Sequence, residues 1–240
     1  MLASRPRRAS LLNSPRRWLD LDRDCSLVEK AGHLGWSVAV RSYLRLRHNL
    51  QVSGADHLPV RPPFILTANH SSHLDALVLA SALPLSLRDQ VFPLAAGDVF
   101  FERWLTAALA VGLVNALPMW RKRMPAHGLV QLRRRLIDGR CGYILFPEGK
   151  RSRDGRMLPF KAGIGRLVAG SAVPVIPCHL EGTFAACPAG RVWPRGEPIR
   201  LRVGAPLRFE GLSDDRRGWS AAARQVEQGV RELANQAAIG

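Results

Sequence analysis

Phe64-Ile65-Leu66-Thr67-Ala68-Asn69-His70-Ser71-Ser72-His73-Leu74-Asp75 runs from an apolar stretch into a polar turn, and the turn carries a histidine and a carboxylate five positions apart. A short apolar run bounded by turn residues reads as a buried strand. On one regular helix, positions 70 and 75 would be separated by roughly 140° around the axis, at about 3.6 residues per turn. Their side chains meet only if His70 lies outside the helix. Asn69, Ser71 and Ser72 are turn and N-cap residue types, so a helix beginning near Ser72 carries Asp75 in its first turn. The imidazole then folds back onto the carboxylate. An aspartate bonded to one ring nitrogen fixes the tautomer and leaves the other nitrogen free to take a proton from a hydroxyl. In an isolated H-x-x-x-x-D the commoner case is a turn histidine followed by a first-turn charge that the helix dipole favours. His73 competes for the role of base, but residues two apart do not face each other on a helix, which separates it from Asp75.

Working outward, apolar runs at 64–68, 91–95, 113–117, 143–146, 173–178 and 199–203 read as strands. Helical patterns at 74–87, 100–111, 128–137 and 164–172 fill most of the gaps. This alternation predicts an α/β layered domain, with a central mostly parallel or mixed sheet covered by helices on both faces. Residues 219–238 form a polar amphipathic helix expected to pack outside, and 188–198, rich in Pro and Gly, form a loop. The expected organisation is a basic flexible tail at 1–30, an amphipathic segment at 31–51, the main domain at 52–212 and a C-terminal helix at 213–240.

A second segment, Phe146-Pro147-Glu148-Gly149-Lys150-Arg151-Ser152, follows the apolar run 141–145. Pro147 and Gly149 suit a chain that leaves a strand and turns sharply. Arg151 offers a planar fork of donors suited to phosphate oxygens, as does Arg121 in Leu117-Pro118-Met119-Trp120-Arg121. A carboxylate beside an anion needs another occupation, so Glu148 reads as a pocket organiser accepting from an arginine or a substrate hydroxyl. Lys150 and Lys161 add positive charge and rank below the arginines, because surface lysines are usually just solvated.

These segments together resemble the glycerolipid acyltransferases, the 1-acyl-sn-glycerol-3-phosphate acyltransferase-like family. Asn69, His70 and Asp75 fit N-H-x-x-x-x-D without a gap, and Phe146 to Ser152 fit F-P-E-G-T-R-S with Lys150 in place of threonine. Phe160-Lys161-Ala162-Gly163 and the run Val173 to Pro177 match two further elements, while Trp120 departs from the aspartate usual before the arginine. The resemblance spans roughly residues 52–209. It implies that His70 deprotonates the free hydroxyl of a lysophospholipid, which attacks an acyl-CoA or acyl-ACP thioester directly, with Asp75 orienting the base and no acyl-enzyme. It implies substrate binding by Asn69, Arg121, Glu148, Gly149, Lys150, Arg151 and Lys161, phosphatidic acid as product, and no cofactor. The loop at 188–198 would border the substrate entrance, and 104–119 would line an acyl-chain tunnel or form plain core. Competing expectations are a different acceptor such as a lyso-aminolipid, tafazzin-like transacylation, and a non-catalytic lipid-binding module.

The formal charge of +16 and pI near 11.3 call for an anionic partner. Nucleic acid is disfavoured, because aromatics are only 7% and no recognition motif is present. An anionic membrane surface fits better, since residues 35–47 mix large apolar side chains with arginines as interfacial helices do. The longest uncharged apolar stretch, 104–119, falls short of the roughly 20 residues that span a bilayer. A peripheral, monotopic protein on the cytoplasmic face of a bacterial inner membrane is expected, the arginine excess suggesting a GC-rich genome. Arg7-Arg8 lacks the apolar stretch of a signal peptide. Cys25, Cys141, Cys178 and Cys187 show no C-x-x-C spacing, and Cys178, His179 and Cys187 lack a fourth ligand, so no metal is expected.

Overall fold

The computed structural model describes residues 27–96, 117–119, 126–139, 141–191 and 193–236. Among them the strands are β1 (Gln51–Ser53), β2 (Phe64–Ala68), β3 (Val91–Ala96), β4 (Leu117–Met119), β5 (Gly142–Leu145), β6 (Val175–Glu181) and β7 (Arg200–Val203). They form one seven-stranded sheet in the order β1-β7-β6-β2-β5-β3-β4. Every pairing is parallel except that of β6 with β7, so the sheet is mixed. The helices are α1 (Leu27–His48), α2 (Leu74–Ala82), α3 (Ala126–Ile137), α4 (Gly163–Val168), α5 (Thr183–Ala186) and α6 (Arg216–Gln236).

Strand alternation assigns the layers. On β2, Phe64, Leu66 and Ala68 join Leu44 of α1 and Leu74, Val78 and Leu79 of α2 in one core. Ile65 faces the other way, into a core with Leu132 and Leu136 of α3, Ile164 and Leu167 of α4, and Ala222 and Val226 of α6. α6 is therefore part of a helical layer, where the sequence suggested an outer addition. A Cβ on Gly165 would lie 2.0 Å from the Trp219 carbonyl oxygen, so only glycine lets α4 and α6 approach this closely.

Topology places the site. From β2 the chain crosses through α2 to β3 on one side; from β5 it crosses through α4 to β6 on the other. Right-handed crossovers in opposite directions put α2 and α4 on opposite faces, as the two cores require. Adjacent β2 and β5 thus flank a switch point, and the crevice at their C-terminal ends is where α/β sheets bind ligands.

Several expected boundaries differ. The helix expected at 74–87 stops at Ala82, because Pro84 drives Leu83 to extended backbone at φ −72, ψ 153, and a single 3-10 turn follows at Leu85–Leu87. The helix expected at 164–172 ends at Val168, where Ala169 turns extended and Gly170 takes φ 67. β6 starts at Val175, since Pro174 has no N–H for the ladder, and continues to Glu181. The helix expected at 100–111, most of the strand expected at 113–117, most of the expected tail, and Arg121 lie outside the described residues.

α1 packs on α2 through buried Leu44 and through Arg41, which donates to the Leu83 carbonyl. His33 Nδ1 pairs with Asp89 Oδ1 at 3.1 Å beside it. α1 exposes Leu34, Val38, Tyr43 and Leu46, the last 88% accessible. No helix among the described residues is long and apolar enough to cross a membrane.

Candidate active site

His70 leaves the end of β2 before α2 begins, as the five-residue spacing demands. Its Nδ1 lies 2.8 Å from Asp75 Oδ2. The same oxygen accepts the backbone N–H groups of Ser71 at 2.7 Å and Ser72 at 2.8 Å, so one carboxylate oxygen closes the turn and fixes the imidazole. Asp75 is fully buried, whereas the His70 side chain is 21% accessible. With Nδ1–H donating to Asp75, the available proton acceptor is Nε2. Ser72 Oγ caps the turn further, accepting from Leu74 N–H and donating to the Cys187 carbonyl.

The second motif clamps the first. Glu148 is 2% accessible; its Oε1 accepts the His70 backbone N–H at 2.8 Å and its Oε2 the Leu158 N–H at 3.1 Å. Ser152 N–H donates to the His70 carbonyl at 2.8 Å, and the Phe146 ring stacks on the imidazole, 4.1 Å between centroids and 15° from parallel. His70 is thus held by both peptide groups, one ring nitrogen and one ring face. Sequence reasoning expected Glu148 to accept from an arginine or a substrate hydroxyl. Both its oxygens instead take backbone donors, because the loop after Gly149 brings the Leu158 N–H back to Glu148. Burial outweighs those two N–H bonds and pushes the Glu148 carboxyl up to about 7.

Asn69 is also committed within the fold. Its Nδ2 donates to the Leu180 carbonyl at 2.9 Å, and its Oδ1 accepts the Leu180 N–H at 2.8 Å. It ties the end of β2 to β6 and is 7% accessible, a positioning place for a residue expected to bind substrate.

The cations gather beside this turn. Arg151 feels Asp75 and His73 electrostatically; burial holds its guanidinium below the usual range, and its buried Nη1 has no hydrogen-bond partner among the described residues. Gly149 has φ 71, and a Cβ there would sit 2.8 Å from Lys161 Nζ, so glycine leaves room for that ammonium over the turn. Lys161 is anchored by its N–H to the Pro147 carbonyl at 3.0 Å, while Lys150 is exposed. His73 caps α2, and desolvation, the Arg151 guanidinium and His70 push it down to about 4. Asp75 is bound to His70 and not to His73, so His70 is the histidine whose ring the carboxylate orients. Phe146 and Ser152, two residues before and four after Glu148, hold His70 by ring stacking and a backbone hydrogen bond, and their only signal in the sequence is membership of the same motif. Among the described residues no cluster of His, Cys, Asp and Glu could hold a metal.

The fold and site define an α/β protein with a histidine paired to a buried aspartate at a sheet switch point. The chain belongs to the Acyltransferase family, whose model matches residues 49–181. It is 31% identical over 170 residues to mouse 1-acyl-sn-glycerol-3-phosphate acyltransferase alpha, covering 69% of this chain and 57% of the relative. It is 26% identical over 186 residues to the 1-acyl-sn-glycerol-3-phosphate acyltransferase of Limnanthes douglasii, with 70% and 57% covered. The match thus spans little more than half the length of these relatives. Its fold resembles the crystal structure of the 1-acyl-sn-glycerophosphate acyltransferase PlsC from Thermotoga maritima, with TM-score 0.63, 22% identity, and 85% of this chain and 79% of that one covered.

Proposed function

We propose that this chain transfers a fatty acyl group from an acyl-CoA or acyl-ACP thioester to the free hydroxyl of 1-acylglycerol-3-phosphate, giving phosphatidic acid. The observation that carries it is the four-point clamp on His70, which leaves Nε2 as the working atom. Nε2 takes the hydroxyl proton as the oxygen attacks the thioester carbon. Collapse of the tetrahedral intermediate breaks the carbon–sulfur bond, and the leaving thiolate takes the proton back from the imidazolium, which Asp75 stabilises. No acyl-enzyme is formed, and no cofactor is needed.

Arg151, with Lys161 over the Gly149 turn, supplies the charge for the acceptor phosphate; its unpaired buried Nη1 is the group such an anion would satisfy. Arg121 is assigned to the same anion by family resemblance, and Lys150 contributes only long-range charge. Asn69 and Glu148 act by positioning. α1 lies on an anionic membrane surface through Leu34, Val38 and Leu46 with its flanking Arg45 and Arg47, as a peripheral element at the cytoplasmic face of a bacterial inner membrane.

The test is acceptor profiling by mass spectrometry: purified protein, acyl-CoA and acyl-ACP in turn, and a panel of lysophospholipids, lyso-aminolipids and intact phospholipids as acceptors or donors. Phosphatidic acid as the dominant, thioester-dependent product supports the reading. Transfer that needs no thioester, or that prefers a lysolipid without a phosphate monoester, contradicts it.

A further inference from the structure

Residues 158–161 form neither helix nor strand, yet each backbone N–H among them has an acceptor. Leu158 N–H goes to Glu148 Oε2 at 3.1 Å, Lys161 N–H goes to the Pro147 carbonyl at 3.0 Å, and Pro159 has none to give. The acceptor for Phe160 N–H comes from much further along the chain. It is Glu227 Oε2 of α6, at 2.9 Å. Glu227 lies beyond residues 49–181, which the family model matches.

The other oxygen of Glu227 is held in turn. Arg231, one helical turn on, donates Nε at 2.9 Å and Nη2 at 2.8 Å to Oε1. Glu before Arg at i, i+4 is the favoured order, and the guanidinium offsets a negative charge that would otherwise oppose an anion nearby. Arg231 is also near enough to Glu148 to favour its ionised form, against the burial that raises that carboxyl. The C-terminal half of α6 thus stands beside both the strut under His70 and the segment that carries Lys161.

α6 does not need this contact in order to dock. Ala222, Ala223, Val226 and Val230 are buried along its apolar face, and Phe160 packs on the core that the first three share. The carboxylate reaching out from this anchored helix therefore acts locally, on the Phe160 peptide. Fixing that peptide fixes the root of Lys161, whose ammonium reaches the Gly149 turn on a flexible four-carbon stem. A fixed root leaves less side-chain freedom to lose when the ammonium binds an anion.

We propose that Glu227 is a positioning residue for the acceptor site: through the Phe160 peptide it holds Lys161 over the Gly149 turn, where the ammonium meets the acceptor phosphate. This rests on the reading of Arg151 and Lys161 as the groups that take that phosphate. Its effect falls on acceptor binding, because its bonds run to Phe160 and Arg231 rather than to the His70 turn.

The experiment compares full-length wild type, Glu227→Ala, Glu227→Gln, Lys161→Ala and the double variant Glu227→Ala/Lys161→Ala. Steady-state kinetics with 1-acylglycerol-3-phosphate and palmitoyl-CoA or palmitoyl-ACP are run beside equilibrium binding of 1-acylglycerol-3-phosphate, with thermal unfolding to confirm that each variant is folded. Glu227→Ala should raise the acceptor KM and Kd about 3 to 10-fold, with kcat and the donor KM within about twofold of wild type. Glu227→Gln keeps an oxygen for the Phe160 N–H and should recover most of that loss. Because the effect passes through Lys161, the double variant should be no worse than Lys161→Ala alone. In folded protein, an unchanged acceptor KM and Kd, an equal rise for both substrates, a Gln variant as impaired as Ala, or additive losses in the double variant would each overturn the proposal. Failure of the acyl-transfer reading is distinguishable: wild type would bind 1-acylglycerol-3-phosphate without acylating it, and the Kd series would still decide the role of Glu227.

Discussion

Glu148 Oε1 accepts the backbone N–H of His70 across 78 residues of sequence, at 2.8 Å. The contact joins the ends of β5 and β2 at the switch point, so the carboxylate that reads as a pocket organiser in sequence is a strut beneath His70. Its pKa makes the strut measurable. The carboxyl stands at about 7 against an ordinary 4.5, so the folded state favours its neutral form. Stability associated with Glu148 is full below about 4.5 and is lost as pH rises through about 7, at up to about 1.4 kcal/mol per unit. Urea unfolding of wild type should therefore weaken, relative to Glu148→Gln, between pH 5 and 7, and the gap should level off above that. Parallel curves would refute the assignment.

Asp75→Asn keeps an acceptor for Ser71 N–H, Ser72 N–H and His70 Nδ1–H but removes the charge that stabilises the imidazolium. Turnover should fall about 10² to 10⁴-fold with little change in KM. Asp75→Ala also strands those donors, so its thermal midpoint should drop well below that of Asp75→Asn, which steady-state kinetics and calorimetry together would show.

Asn69→Ala leaves the N–H and C=O of buried Leu180 unpaired. At about 1–3 kcal/mol per orphaned group, the expected loss is about 2–6 kcal/mol in urea unfolding. A stable Asn69→Ala protein with a raised KM for the acceptor would instead restore Asn69 to the substrate-binding set.

Arg151→Lys retains a charge but loses the fork. The KM for a phosphate-bearing acceptor should rise about 10 to 100-fold while that for the acyl donor stays within about twofold, since a hydrogen bond to a charged group contributes about 1.5–3 kcal/mol. Equal effects on both substrates would argue for a structural role.

The turn at 69–75 was legible because its chemistry is local: a short apolar run breaks into turn and N-cap residue types, and the five-residue spacing dictates a histidine outside the helix. The alternating strands and both faces of helices were legible for the same reason. What escaped reading was either short or distant. β1 has three residues and α5 four, too few to carry a period. Pro84 did mark the end of α2, yet the apolar pattern runs past it to Leu87 and masks the stop. The partners of Asn69 and Glu148 lie 111 and 78 residues away, and both engage backbone groups, which no side-chain pattern records.

The most direct measurement is the rate of acyl transfer to 1-acylglycerol-3-phosphate by His70→Ala, with thermal unfolding run alongside. Nε2 is the one atom whose removal abolishes the base while leaving the sheet, the Asp75 turn and the cation cluster in place. A kcat reduced about 10² to 10⁴-fold with an unfolding midpoint close to wild type is the predicted result. Transfer at the wild-type rate in the folded variant would contradict the account.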